Sequence, residues 1–392
     1  MTAHMPYRTT APINFDRGIA KEVGNKLADA EKKKTLLLFD EGIEEAGISQ
    51  EIAEYIKDAG IEVVENNQIQ EDPPDRTINE LAKFAAEQNV DSIVALGGGS
   101  AIDTAKGVSL LLTNGGKIND YLDRGGKQKP GIFLIAIPTT AGTGSESTRG
   151  AVVTLTEEDT KIALEGDGLE VDIALIDPEL TLGVPPEVTA ATGFDALSHA
   201  LDGFISIKAN AFTKYQSAYG VSLFRKSIKE VVYNGDNIEA RTDMMAASAI
   251  GGLIITGASV SLIHSFAHSL GAVYHVPHGN SCAIFMPAVL EFVSEEKSEE
   301  IRWIADLFEV DYSSKDDAKE IARKTGRVIW QLAKEMGLSS ITDAEAEPEK
   351  MYQIIQLAQE DPSTETSARK LDDAGAKWII DRTYEVAKEL EN

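Results

Sequence analysis

SIVALGGGSAIDTAKG, residues 92–107, is the stretch that decides the fold. The apolar run Ser92–Leu96 has the length and β-branched content of a buried strand. It passes directly into Gly97-Gly98-Gly99-Ser100, and Ala101–Leu111 continues with apolar residues at helical spacing. Strand, tight glycine turn and helix N-terminus in succession can hold an anion. Glycine lets the backbone come close, the first-turn amides point outward, and the helix dipole favours negative charge. The turn is neither GxGxxG nor a Walker A loop, because no Lys-Ser/Thr pair follows the glycines. Taken alone, it is equally a tight turn that needs glycine conformations.

The same alternation extends on both sides. Strands are expected at Thr35–Phe39, Ile61–Glu65 and Ile132–Ile137, and helices at Gly18–Glu31, Ser49–Ala59 and Thr77–Gln88. Strands alternating with helices predict βαβ units and a parallel, Rossmann-like sheet, and nearly continuous apolar strands suit a sheet covered on both faces. A hairpin follows at Ala151–Thr156 and Lys161–Leu164, then one more strand at Ile173–Ile176. The strand ending at Ile137 opens into Pro138–Glu146, PTTAGTGSE, where threonines and a serine around two glycines offer hydroxyls and amides without charge. Two such loops at strand ends predict a nucleotide crevice, since open α/β sheets bind ligands at the carboxyl ends of their strands. Asp40 closes the first strand. A carboxylate there accepts the hydroxyls of an adenosine ribose and repels a 2′-phosphate, or else simply caps a helix.

At 392 residues and 43% hydrophobic content the chain has room for two or three domains. After Pro185-Pro186 strand-like runs become scarce and helical patterns dominate, for instance Ser314–Met336 and Ala374–Leu390. The expected organisation is an α/β domain over 1–185 and an all-α domain over 186–392. Ser294–Glu300 reads as a solvated helix start or loop. With 64 acidic against 37 basic residues the formal charge is −27, a field that disfavours nucleic acid and anionic membrane surfaces. Cys282 is the only cysteine, which excludes intramolecular disulfides and cysteine-based zinc or iron–sulfur sites. Met1–Arg8 lacks the apolar core of a signal peptide. Met244–Ile263 runs without a charge, but its Gly, Ala, Ser and Thr content predicts a helix buried in a domain core rather than a membrane span. A cytoplasmic location is the expectation.

The chain has six histidines, and four of them lie in HSFAHSLGAVYHVPH, residues 264–278. A single histidine is most often a packed core or surface residue, but a cluster this dense points to metal or proton chemistry. Upstream, Asp195 and His199 stand at i and i+4, which on a helix places a carboxylate and an imidazole on one face. His264 and His268 repeat that spacing, and Pro277 re-aims the chain before His278. One carboxylate with three imidazoles suits Fe(II) or Zn(II) with an open position for substrate. Spacing leaves open which of the clustered histidines bind.

Together these segments resemble the iron-containing (group III) alcohol dehydrogenases over nearly the full length. The resemblance is carried by GGGSAIDTAKG (97–107), PTTAGTGSE (138–146), IDPELT and VPPEVTAATGFDALSHALDGF (within 176–204), and HSFAHSLGAVYHVPHGNSCAIFMPAVLEF (264–292). It implies a dinucleotide-binding α/β domain, an all-helical domain of the dehydroquinate synthase-like architecture, and a metal and substrate cleft between them. It implies Asp195, His199, His264 and His278 as metal ligands, with Fe(II) the first expectation and Zn(II) the second. His268 matches a non-ligand histidine near the nicotinamide and is the expected proton relay; His275 matches a variable position and stays unassigned. Gly97, Gly98, Gly99 and Ser100 would hold the pyrophosphate, Thr139, Thr140 and Thr143 would contact the nucleotide, and Asp40 matches the acidic residue of NAD-preferring members.

The expected reaction is hydride transfer between NAD(H) and a short-chain primary alcohol or its aldehyde, in a homodimer or larger homo-oligomer. One departure concerns the substrate pocket. Where the family often continues with Val-Thr, Ser147-Thr148-Arg149-Gly150 follows here. Arg149 pointing into the cleft beside the small Gly150 would hold an anionic ω-substituted aldehyde, carboxylate or sulfonate; otherwise it pairs with one of the chain's many acids. A lyase resembling dehydroquinate synthase needs more Lys and Arg than Thr189–Asn280 offers. A metal-dependent hydrolase would leave the nucleotide loops merely structural, and a non-catalytic binding module would leave the histidines unexplained.

Overall fold

The computed structural model describes residues 11–122, 128–157, 160–166, 168–344 and 348–391. His4 and the Met1–Arg8 segment lie outside these residues. The chain separates into two compact units, Met1–Val184 and Pro185–Asn392.

The first unit is built on a six-stranded parallel sheet of order β1-β8-β5-β4-β2-β3. Its strands are β1 (Ile13–Phe15), β2 (Lys34–Leu38), β3 (Glu62–Asn66), β4 (Ser92–Gly97), β5 (Phe133–Pro138) and β8 (Ile173–Ile176). β6 (Gly150–Leu155) and β7 (Thr160–Glu165) form a separate antiparallel pair, the expected hairpin. Leu36–Leu38, Ile93–Leu96 and Leu134–Ile137 are buried without alternation, as a sheet covered on both faces requires. From β2 the chain goes outward to β3, then returns to the other side of β2 to form β4 and continues to β5 and β8. The direction of winding therefore reverses between β2 and β4, the position where open α/β sheets bind ligands.

Two details differ from the sequence reading. β1 is too short for a periodicity signal and is formed only by pairing with β8. The helix expected over Gly18–Glu31 opens as a 3-10 turn, Ile19–Glu22, before the α-helix Val23–Asp29. The Asp177 carboxylate accepts from the amides of Gly18 (3.0 Å) and Ala20 (3.1 Å) and tightens that first turn.

The second unit is helical, without a strand among its described residues. Close packing of Pro186–Ile205 on its neighbours depends on glycine. A Cβ at Gly193 would stand 2.6 Å from Ile228 Cδ1, and one at Gly203 would stand 2.3 Å from Ile254 Cγ2. The charge-free stretch 244–263 is not one helix. Ile238–Ala258 ends at Ser259, which has φ of +60°, and Leu262–Tyr274 begins after a 108° bend. No single helix among the described residues is long and apolar enough to cross a membrane. The helix expected from Ser314 begins instead at Ala318, because Asp317 caps it by accepting from Glu320 N at 2.8 Å. In the charge run 294–300, a helix starts at Ser298.

Candidate active site

In the first unit two strand-end loops converge on the glycine turn. Gly97 has φ of +148°, and a Cβ there would lie 2.8 Å from Ala101 Cβ and 3.6 Å from Asp40 Oδ2. A Cβ on Gly98 would meet Thr140 Oγ1 at 3.1 Å, and one on Gly99 would meet the Thr143 side chain at 2.7 Å. Thr139 N donates to Gly97 O at 3.0 Å. Glycine is thus required here by close approach between loops. Gly98 caps the helix Gly99–Asn114 without any side-chain acceptor for its first-turn amides, which leaves Gly99 and Ser100 at a helix N-terminus suited to an anion. Asp40 takes the helix-cap role foreseen for it. Its Oδ1 caps the helix Glu41–Glu45 by accepting from Ile43 N at 3.0 Å, while Oδ2 faces Gly97.

The second loop is fastened from below by the glycine-turn helix. Lys106 is wholly buried, and its Nζ donates to Gly150 O (2.6 Å), Ser145 O (2.7 Å) and Thr148 Oγ1 (2.9 Å). Asp103, one turn earlier, accepts from Ser145 Oγ and from Val152 N at 2.9 Å. Burial pulls Lys106 down to about 8 against the opposing pull of Asp103 and Glu146. Burial likewise pushes the Glu146 carboxyl up to about 7. The spacing Asp103–Lys106, i and i+3 on one helix face, was the available signal for this pair.

Of the two readings of Arg149, the structure shows pairing with an acid. Arg149 Nε donates to Glu170 Oε1 at 2.7 Å in an ion pair about one-quarter exposed on the arginine side (27%). Gly150 is the first residue of β6, where a Cβ would approach Leu164 O to 3.0 Å. Both serve the hairpin and its junction, and the charge of Arg149 is already matched.

In the second unit the helix Pro186–Ile205 presents Asp195, His199 and Asp202 at i, i+4 and i+7, all buried. Asp195 Oδ1 is faced by Nε2 of His278 (3.3 Å), His199 (3.7 Å) and His264 (4.0 Å). That oxygen is buried and accepts no hydrogen bond among the described residues. Burial alone would raise the Asp195 carboxyl, but the neighbouring imidazoles of His199, His278 and His264 outweigh it and hold it well below the usual carboxylate range. His199 stacks on His264 with ring centroids 4.8 Å apart, and Gly251 leaves room for it, since a Cβ there would be 3.2 Å from His199 Cβ. His264 Nδ1 is bound to Asp202 Oδ2 at 2.7 Å, and the same oxygen accepts from Ser261 N at 2.8 Å. Burial lowers His264 well below its ordinary value, and its Nε2 faces Asp195 Oδ1. Such a carboxylate behind a histidine is the usual partner of a metal-binding imidazole. A buried carboxylate oxygen without a donor, ringed by imidazole nitrogens, fits a divalent cation.

His268 stands beside this group, its ring stacked on His278 at 5.3 Å. Its Nδ1 is bound to Asp361 Oδ2 at 2.8 Å. His275 is the exposed left-handed residue that ends the helix Leu262–Tyr274, with φ of +54°. Two carboxylates, Asp202 and Asp361, were missed in the sequence reading. Asp202 was signalled by its i+7 position from Asp195; Asp361, 93 residues from His268, had no local signal. Cys282 is a buried neighbour of the same group, its Sγ 3.6 Å from His278 Nε2. Cys282 Sγ falls within 4.8 Å of ligand atoms of Asp195, His264 and His278, because Cys282 lies one turn after His278 on the helix His278–Phe292.

Comparison with known proteins agrees with this geometry. The iron-containing alcohol dehydrogenase pattern matches residues 10–178, and the C-terminal pattern of the Fe-containing alcohol dehydrogenase family matches 189–384. The NAD-dependent methanol dehydrogenase of Bacillus methanolicus is 37% identical over 291 residues, 74% of this chain and 76% of that protein. The choline dehydrogenase of Bacillus subtilis (strain 168) is 33% identical over 378 residues, 95% of this chain and 93% of that one. Among solved structures, the alcohol dehydrogenase from Oenococcus oeni superposes with a TM-score of 0.93 at 29% identity, covering 97% of this chain and all of that one (100%). The two-part sequence match, the full-length relative and the shared fold establish that the chain belongs to the iron-containing alcohol dehydrogenase family, a family of oxidoreductases.

Proposed function

We propose that this protein interconverts a short-chain primary alcohol and its aldehyde with NAD(H), using one divalent metal, Fe(II) or Zn(II), held by Asp195, His199, His264 and His278. The observation that carries the reading is the buried Asp195 Oδ1, without a hydrogen bond among the described residues and faced by three imidazole nitrogens. When bound, the metal polarises the substrate oxygen and the nicotinamide carries the hydride.

The rest is done by the chain's own groups. The amides at Gly97–Ser100 bind the pyrophosphate, and Thr139, Thr140 and Thr143 shape the nucleotide's bed. Asp40 Oδ2 accepts the ribose hydroxyls, which favours NAD over NADP. Asp202 holds the His264 ring in one tautomer and orientation. Asp361 does the same for His268, leaving Nε2 of His268 to pass the alcohol proton toward solvent. The small size of the substrate is supported by the names of two relatives, methanol and choline dehydrogenase, both small primary alcohols.

NADH consumption measured over a panel of aldehydes, on metal-stripped protein and after adding Fe(II) or Zn(II), tests the proposal. The expected result is oxidation of NADH by short aldehydes only when metal is present. Turnover of a hydrolysable substrate without nicotinamide, and none with it, would sink the reading.

A further inference from the structure

Among the described residues seven large apolar or aromatic side chains are exposed. Five of them, Ile207, Phe212, Tyr215, Tyr219 and Tyr233, lie on or just before the helix Ala211–Tyr233. Phe212, Tyr215 and Tyr219 stand at i, i+3 and i+7, one face by the 3.6-residue turn, and are 68%, 71% and 59% exposed. The opposite face, with Val221, Phe224, Ile228 and Val231, is buried, so the helix has its core contacts without the three rings. The Tyr215 ring is already fixed edge-on against Trp303, with centroids 5.4 Å apart. An aromatic side chain held in place beforehand loses little entropy on contact, which is the property of an interface anchor. At about 200 Å² for a whole aromatic side chain, the three rings leave about 400 Å² open on one copy. Apolar patches of that size on soluble chains mark contact surfaces.

We infer that this face is an isologous contact with a second copy of the chain, two Ala211–Tyr233 helices packing antiparallel about a two-fold axis at Tyr215. Tyr215 then meets its own copy, and Phe212 of each copy meets Tyr219 of the other. The inference is independent of the reaction proposed above. Charge selects the occupant. The chain carries −27, which keeps copies apart wherever acids dominate the surface. The helix has four basic residues against one acid, Glu230, and each cation is bound by an acid from another segment. Lys214 pairs with Glu300, Arg225 with Glu309, Lys226 with Asp243 and Lys229 with Glu335. An isologous contact sets every charge close to its own copy, so it needs a face that is neutral, as this one is around the rings. A strongly basic or acidic partner finds no net charge here to pair with. The area agrees. Across two copies the three rings alone bury about 800 Å², half of a standard interface of about 1,600 Å², and the exposed Ile207, Ala211 and Ser222 border them.

Sedimentation velocity on the full chain at low micromolar concentration tests this, comparing wild type with the double variant Tyr215→Glu, Tyr219→Glu and checking folding by far-UV circular dichroism. Glutamate keeps the helix and sets like charges across the axis, so the particle mass should fall to half that of wild type. Cross-linking gives a second measurement, and it decides alone if the double variant does not fold. Facing Cα atoms at the axis of two packed helices lie about 5 Å apart, within disulfide reach. Ser222 lies seven residues further on, so its two copies are about 21 Å apart along the helices. Tyr215→Cys should therefore form a covalent dimer in dilute solution with oxidised glutathione, and Ser222→Cys should not. The native Cys282 is buried and does not compete. A monomeric wild type, a folded double variant of wild-type mass, or equal cross-linking at both positions would overturn the inference. A monomeric wild type that sediments with phospholipid vesicles would overturn it as well, and would give the face to a membrane.

Discussion

Replacing Lys106 with methionine keeps the length of the side chain and removes its charge and its donors. In the native protein Nζ reaches two carbonyls and a hydroxyl at 2.6–2.9 Å, with the side chain wholly out of solvent. The variant leaves Gly150 O and Ser145 O without that donor and Asp103 buried without its neighbouring cation. Removing one partner of a buried ionic pair costs about 3–5 kcal/mol. Summing three charge-assisted hydrogen bonds at about 1.5–3 kcal/mol each would give more, but they share one ammonium, and methionine recovers about 2 kcal/mol through apolar burial. A loss of about 3–5 kcal/mol is therefore expected, a large part of a domain's usual margin of about 5–15 kcal/mol. Because Thr140 and Thr143 pack on Gly98 and Gly99, the same change should loosen the nucleotide loop and weaken NADH binding at least tenfold.

Urea unfolding followed by circular dichroism, NADH titration, and hydrogen exchange over residues 139–150 would measure the three effects. The pH dependence supplies a further sign. The folded pKa of Lys106, about 8, lies below its unfolded value, so the unfolded chain binds more protons between roughly pH 8 and 10.5. Wild-type stability should gain from this group as pH rises through that window, by at most about 3 kcal/mol, and the methionine variant should lack the gain. An unchanged urea midpoint together with unchanged NADH affinity would refute the reasoning.

His264→Ala or His278→Ala should abolish turnover and strip the metal while NADH binding survives; elemental analysis showing full metal occupancy in either would break the ligand assignment. His268→Ala should keep its metal and lose rate. Asp40→Gly should raise the use of NADP relative to NAD by roughly ten- to hundredfold, the equivalent of about 1–3 kcal/mol of relieved repulsion, and steady-state kinetics with both cofactors will read the ratio. Asp361, despite the opposing effect of burial, is held down to about 2 by the hydrogen bond and charge of His268 and by Ser363. Its folded pKa lies below its unfolded value, so it stabilises the protein above about pH 4 and loses that contribution as pH falls toward 2. Asp361→Asn should remove about 2 kcal/mol at neutral pH and flatten the acid limb of the stability curve; an unaltered limb would count against the dyad.

What the sequence by itself determined was whatever is written in local periodicity and local chemistry. Continuous apolar runs such as Ser92–Leu96 are strands buried on both faces wherever the rest of the chain goes. The loops at Gly97 and Thr139 then sit at strand ends because glycine, threonine and helix starts follow those runs directly. Asp195 and His199 share a helix face through the 3.6-residue turn alone, and the histidine cluster was visible as a density of one residue type. The tertiary structure decided which groups meet. Asp202 finds His264 across 62 residues and Asp361 finds His268 across 93. Arg149 meets Glu170 across 21 residues. β1 exists only because β8 offers it an edge, and the charge-free run breaks at Ser259. Periodicity reports whether a side chain is buried. The identity of its hydrogen-bond or ionic partner depends on where a distant segment is packed, and no local signal carries that.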